Sequence, residues 1–227
     1  MGARGRWKWA GVLSVAALAA CTVSKPEEEL PSDVRLLKEA TVTLAPGHCA
    51  GVIVADGHHV LTAAHCIDGV PGESQPVVLH TGKTLPGAVK VVDRVRDLAV
   101  IRLEEAAPVQ PLAVSTALPL PGGDLLFAGR NDRPGAPQEI KLERLGRCPS
   151  LPGVPQALFT SMHGEKGDSG APVVDRRLQV VGLVHGGAVC SIAAPTASFV
   201  PVVDTLVAEV ARTGPELGVG GSGSAGR

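Results

Sequence analysis

An all-β barrel or sandwich is the architecture that the sequence predicts. Two observations carry it: short β-branched runs recur at close spacing with turn signals between them, and helical periodicity is weak until the end of the chain. The runs are residues 50–55 (AGVIVA), 76–80 (PVVLH), 98–103 (LAVIRL), 140–144 (IKLER), 172–174 (PVV) and 179–184 (QVVGLV). The exception is near the C-terminus, where Val203, Leu206, Val207 and Val210 fall at helical spacing and Asp204 lies in the first turn, which predicts a closing α-helix.

A chain of 227 residues with 44% hydrophobic and 19% charged residues is long enough to bury a sizeable core, as one domain or two small ones. A formal net charge of −1 and the lack of any long block of like charge argue against a nucleic-acid or polyionic partner. Aromatic residues make up 2% of the chain and tyrosine is absent, so stacking platforms for single-stranded nucleic acid or sugars are nearly missing.

The N-terminus reads as a targeting segment. Arg4, Arg6 and Lys8 precede an apolar run over residues 10–20, short for a bilayer span and suited to a secretory h-region. The run ends in Leu18-Ala-Ala-Cys21, which resembles a bacterial lipobox. That resemblance implies a signal peptide over residues 1–20 and acylation of Cys21 as the mature N-terminus. Several acyl chains would make the anchor stable. The expectation is an exported lipoprotein on the periplasmic or cell-surface side of a membrane. Setting Cys21 aside, Cys49, Cys66, Cys148 and Cys190 form an even set in an oxidising compartment and predict two disulfides, for which three connectivities exist.

Residues 21–38 are polar and punctuated by proline, and read as a lipidated tether. Residues 214–227 are Gly/Ser-rich, carry too few apolar residues to fold and read as a disordered tail. The folded domain is therefore predicted over residues 39–213.

Chemistry-bearing residues occur at three places inside it. His65 sits between small residues and a cysteine at the end of a strand-like run, in LTAAHC. Asp97 opens the buried-strand pattern DLAVIRL, and Ser169 stands in GDSGAPVV. An imidazole titrates near neutrality and can take a serine proton and return it to a leaving group. A carboxylate can fix its tautomer, and glycine at 167 lets backbone amides turn toward a developing oxyanion. Asp93 competes with Asp97, but the buried run after Asp97 favours the latter. If Ser169 were only a turn residue, Gly167, Asp168 and Pro172 beside it would be coincidences. His58, His59 and His80 read as core or surface histidines. No H-E-x-x-H is present and Val77 stands where a P-loop would need its first glycine, so neither a zinc enzyme nor a phosphate cradle is indicated. No metal and no cofactor are expected.

LTAAHC, DLAVIRL and GDSGAPVV, in that order, resemble the three motifs of the chymotrypsin-like (trypsin-like) serine peptidases, and the likeness covers nearly the whole domain. It implies two six-stranded antiparallel β-barrels followed by a C-terminal α-helix. It implies His65 as general base, Asp97 as its orienter, Ser169 as nucleophile, and the amides of Gly167 and Ser169 as oxyanion donors. VVGLVHGG resembles the strand lining the primary specificity pocket, and residues 197–212 resemble the closing strand and helix. The resemblance pairs Cys49 with Cys66, leaving Cys148 for Cys190. It places His163, Lys166, His185 and Gly187 around the substrate pocket, where basic groups would favour an acidic side chain in the substrate.

One departure from the family pattern bears on regulation. No Ile-Val-Gly-Gly-type activation sequence precedes the domain, and an acylated terminus could not pair with Asp168. An internal cation is expected there instead, from Arg130 or another arginine between 130 and 147, giving a constitutively active endopeptidase that is a monomer. Two alternatives share the sequence: a catalytically silent binding module on the same fold, and an esterase using the same three residues.

Overall fold

The computed structural model describes residues 32–47, 49–130, 137–186 and 192–199. It begins with a helix, α1, over Ser32–Ala40, with Asp33 in its first turn and Lys38 in its last, each opposite in sign to the helix-dipole end it occupies. Leu37 and Ala40, on one face, are fully buried. Folded structure thus starts earlier than the expected tether boundary at 38. The apolar stripe that docks the helix is only a few residues long, too brief to show as periodicity.

The chain then forms β1 (Thr41–Leu44), β2 (Ala50–Val54), β3 (His59–Thr62), β4 (Val77–Val78), β5 (Thr84–Leu85), β6 (Gly87–Asp93) and β7 (Leu98–Leu103). These make one antiparallel sheet in the order β5-β4-β1-β2-β3-β7-β6. The sheet curls until Ser74, just ahead of β4, bridges Ala88 in β6. A second set, β8 (Asp124–Phe127), β9 (Gln138–Gly146), β10 (Ala157–Thr160), β11 (Pro172–Asp175), β12 (Val180–Val184) and β13 (Ile192–Pro195), closes into a six-stranded barrel. Two barrels were expected. The second is a closed barrel with the predicted strand number; the first is a curled seven-stranded sheet, a half-barrel and not a closed one, whose seventh strand is the two-residue β5 folded back on β4.

The closing strand differs from its predicted place. It lies at Ile192–Pro195, and Thr196–Phe199 is a 3-10 turn, so the strand precedes Ala197. The predicted helix over 203–210 lies outside the described residues, as do the signal segment, Cys21 and the C-terminal tail.

Strand alternation divides the apolar residues into three groups. Ile53, Val60, Ala99 and Ile101 point into the first sheet's interior, with Leu44, Leu79 and Leu85. Phe127, Ile140, Leu142, Leu158 and Val173 fill the second barrel. Val52, Val54, Leu61, Leu98 and Val100 face the other way and meet Leu126, Val174, Val180 and Leu183 between the two layers. Burial of each such side chain contributes roughly 1.5–3 kcal/mol. The link between the layers is stitched by backbone bonds: Leu112 donates to Ile53 at 3.0 Å and Val180 donates to Ala113 at 2.8 Å. The seam is therefore apolar and fixed in register, and the residues at its rim can be placed within hydrogen-bonding distance of one another.

Candidate active site

His65 lies in a 3-10 turn, Ala64–Cys66, directly after β3. A disulfide between Cys49 and Cys66 ties this turn to the residue just ahead of β2, giving the pairing implied by the family resemblance. Cys148 is also disulfide-bonded, and its expected partner, Cys190, lies outside the described residues. Thr62, one turn earlier, donates its hydroxyl to the carbonyl of Ala50 at 2.6 Å, and the amide of Ala50 donates to the carbonyl of Ser169 at 2.8 Å. One residue of β2 thus connects the histidine turn to the serine turn.

Asp97 precedes β7 with φ of 58° and is 4% exposed. A non-glycine residue in the left-handed region costs about 1 kcal/mol or more. Its carboxylate offsets that cost by accepting three bonds. The His65 amide donates to Oδ1 at 2.9 Å, and His65 Nδ1 lies 3.0 Å from Oδ1 and 2.8 Å from Oδ2. The third comes from His185, whose Nδ1 makes a very short contact with Oδ2. Burial raises the carboxyl, but the hydrogen bonds from His185 and His65 and the field of His65 outweigh it and lower its pKa from 3.8 to about 2. Asp93, the competing carboxylate, is spent on its own turn: it accepts from the amides of Val95 and Arg96 and from the Arg96 guanidinium.

Ser169 sits in the turn before β11, between Gly167 at φ 97° and Gly170 at φ 82°. Its hydroxyl donates to the carbonyl of His185 at 3.4 Å, and among the described residues no hydrogen bond joins it to His65. Such a long O–H···O contact is weak. Among the described residues neither the Gly167 nor the Ser169 amide donates to a protein acceptor. Asp168, 1% exposed, points inward beneath the turn and accepts from the Arg130 amide at 3.1 Å and the Glu165 amide at 2.6 Å. The Arg130 amide therefore meets Asp168 directly.

A cleft of about 340 Å³ opens beside these groups, lined by His65, Asp97, His185, Arg94, Val95 and residues 150–153. Sequence reasoning did not single out Arg94, Val95 or this last segment, and nothing in their local pattern marks them. His185 was assigned to the substrate pocket. The structure puts its ring on the cleft wall with Nδ1 turned onto Asp97, edge-on to His65 at a centroid distance of 5.5 Å. His163 is exposed and exchanges backbone bonds with the Gln138 side chain at 3.2 Å in each direction. Lys166 is exposed, and Gly187 lies outside the described residues. His59 is buried with Nδ1 on Asp56, His58 is half-buried and His80 is exposed.

A histidine and an aspartate from one β-layer, meeting a serine turn from another, is the layout of a two-barrel serine hydrolase. Residues 49–183 match the family described as Trypsin-like peptidase domain, and the chain belongs to that family. Two Synechocystis proteins named as putative serine proteases are similar in sequence. HhoA is 33% identical over 147 residues, covering 60% of this chain and 36% of its own length. HhoB is 30% identical over 145 residues, covering 60% and 34%. The chain thus spans about a third of the length of these relatives. The crystal structure of the Rv3671c protease in an inactive form shares the fold with a TM-score of 0.57 at 20% identity, over 81% of this chain and 93% of that one.

Proposed function

We propose that the chain is a serine endopeptidase in which Ser169 is the nucleophile, His65 the general base and Asp97 the group that orients it. The observation that carries this reading is the engagement of His65 Nδ1 by both oxygens of Asp97. A ring that donates from Nδ1 keeps its lone pair on Nε2. In the reaction the Ser169 hydroxyl leaves the His185 carbonyl and Oγ attacks the substrate carbonyl carbon while Nε2 takes its proton. The new oxyanion falls to the amides of Gly167 and Ser169. The protonated ring then gives its proton to the leaving amine as the peptide bond breaks. Water repeats the sequence on the acyl-enzyme, releasing the acid and restoring Ser169. No cofactor takes part.

Constitutive activity belongs to the same reading. The two amides that hold Asp168 come from within the chain, which supports a serine turn built without a liberated N-terminal amine. The lipobox-like Leu18-Ala-Ala-Cys21 supports an acylated, membrane-tethered monomer acting on exported proteins, and incorporation of a labelled fatty acid that a Cys21→Ser variant loses would test it. His163, Lys166 and Gly187 remain the proposed surroundings of the substrate side chain, with an acidic preference, whereas the His185 ring is engaged by Asp97.

Labelling by a fluorophosphonate tests the enzyme reading. The wild-type chain should be labelled, and Ser169→Ala and His65→Ala should not. No labelling of the wild type would favour a silent binding module, the outcome toward which the Ser169 to His185 contact leans. Turnover of esters with none of peptides would assign an esterase.

A further inference from the structure

Outside the proposed proton relay the site holds one group that relay does not require, the second imidazole. His65 and His185 both aim Nδ1 at Oδ2 of Asp97, and one ligand atom from each of the three residues lies within 4.8 Å of the other two. Two neutral imidazole nitrogens and one carboxylate oxygen form the donor set of a three-ligand zinc site with a fourth position open. His65 is exposed on the cleft side, so the fourth position can be filled by water from the cleft. Arg94, which lines the same cleft, donates its guanidinium to the carbonyls of Ala64 and Ile67 at 3.2 and 2.9 Å. A second grouping, Cys49, His65 and Cys66, offers no thiolate, because its two sulfurs are bonded to each other.

We infer that His65, Asp97 and His185 form a regulatory site for a borderline divalent cation such as Zn²⁺, and that occupying it stops hydrolysis. The inference rests on the peptidase reading for its consequence, though not for the binding itself. Zinc–nitrogen and zinc–oxygen distances of about 2.0–2.2 Å put tetrahedral ligands about 3.3 Å apart. His65 Nδ1 now stands 2.8 Å from Oδ2 and His185 Nδ1 stands closer still, so the carboxylate must draw back from the His65 ring by roughly half an ångström and from the His185 ring by more. Oδ1 can stay on the His65 amide, 2.9 Å away, while Oδ2 swings.

Inhibition follows from the tautomer. Metal binding at Nδ1 needs the lone pair there, so the ring proton moves to Nε2 and a neutral ring loses no proton overall. Nε2 then carries a hydrogen where the mechanism needs a lone pair. The same ring cannot both hold the cation and accept the proton of Ser169. The device is a reversible off state.

The test uses the full chain carrying Ser169→Ala, which removes turnover and leaves all three ligands. Calorimetric titration with Zn²⁺ should give one ion per chain, and Co²⁺ should give the visible absorption of a tetrahedral site. Adding His185→Asn keeps an N–H donor for Asp97 but removes the nitrogen lone pair. It should weaken binding by roughly ten-fold or more, the least that disturbing even an outer partner of a ligand costs. In the Ser169 background the rate with micromolar Zn²⁺ is divided by the rate in chelator within each variant. That ratio should fall in the wild type and stay near one in His185→Asn and His185→Ser. Equal zinc affinity with and without His185, or no stoichiometric binding, would overturn the inference. An inactive wild type that still binds one zinc through His185 would instead reject the peptidase reading and keep the site.

Discussion

His65 and His185 donate from Nδ1 to the same oxygen, Oδ2, of Asp97. The buried carboxylate is thus held on two sides, by the ring that is to act as a base and by a ring that has no proton to transfer in the reaction. A carboxylate gripped in this way is fixed in orientation, and it fixes the orientation of His65 in turn. Removing His185 should leave Oδ2 short of a donor while leaving Ser169 and Nε2 of His65 intact. We expect His185→Ala to lower kcat by about ten-fold with KM little changed, since a positioning group acts on the transition state. His185→Asn, which restores an N–H at that place, should recover most of the loss. A KM effect equal to the kcat effect would instead assign His185 to substrate binding.

Acid stability should report the same carboxylate. Its folded value of about 2 lies below the ordinary 3.8, so the fold favours the ionised form. That contribution is complete above about pH 4 and is lost as the pH falls toward 2, and its size is on the order of 2 kcal/mol. Asp97→Asn should therefore be less stable than the wild type at pH 5, with the difference shrinking toward pH 2 in urea titrations. Its activity should fall by about 10⁴-fold at neutral pH, because an amide no longer fixes the productive tautomer of His65. A stability gap independent of pH would show that the substitution disturbs packing and not charge.

The serine turn depends on space as well as on backbone conformation, and two glycines separate the two. A Cβ on Gly170, at φ 82°, would lie 2.2 Å from the carbonyl oxygen of Ala50 and 2.4 Å from Thr62 Oγ1. Gly122 has φ of 83° and nothing within 4 Å of its added Cβ. Gly122→Ala should cost about 1 kcal/mol, the conformational part alone. Gly170→Ala should cost several times as much and should break the contact between the serine turn and β2, abolishing fluorophosphonate labelling. Similar losses of melting temperature in both variants would mean that the Ala50 carbonyl can move aside.

Much of this was legible in the chain, because runs such as 98–103 and 180–184 are buried on almost every side chain and the run at 140–144 alternates buried and exposed residues. Residues 98–103 are an example: Leu98 and Val100 face the seam while Ala99 and Ile101 face the sheet interior. What escaped detection was short or half exposed. Strand β5 has two residues, and β6 alternates buried, partly buried and exposed side chains with no clean period. Helix α1 buries only two residues, Leu37 and Ala40, too few to mark a helical period. The place of His185 was hidden for another reason. Its ring turns onto a partner 88 residues away, a relationship that local pattern does not encode. Asp97 was legible because an acid at the head of a strand that is apolar except for Arg102 demands a partner, and the His65 turn supplies it.

Asp168 supports the serine turn from below, and its removal should separate turn geometry from the relay itself. One oxygen accepts from the Arg130 amide and the other from the Glu165 amide, so a single side chain ties two loops to the residue preceding Ser169. Asp168→Ala would leave both amides, which are only partly shielded from water, without that acceptor, a cost of up to about 1–3 kcal/mol for a group that finds no other partner. Asp168→Asn retains one acceptor oxygen and turns an N–H toward the other amide, so it should fall between alanine and wild type in stability. Neither change touches the bonds between His65 and Asp97, whereas both loosen the turn that carries Gly167 and Ser169. The expected signature is therefore a large loss of fluorophosphonate labelling rate, with zinc binding to the Ser169→Ala form nearly unaffected. Were labelling to proceed at the wild-type rate in Asp168→Ala, the serine turn would be held by its glycines and by its backbone bonds to Ala50 and Val184, and the case for activity built from within the chain would lose its structural basis.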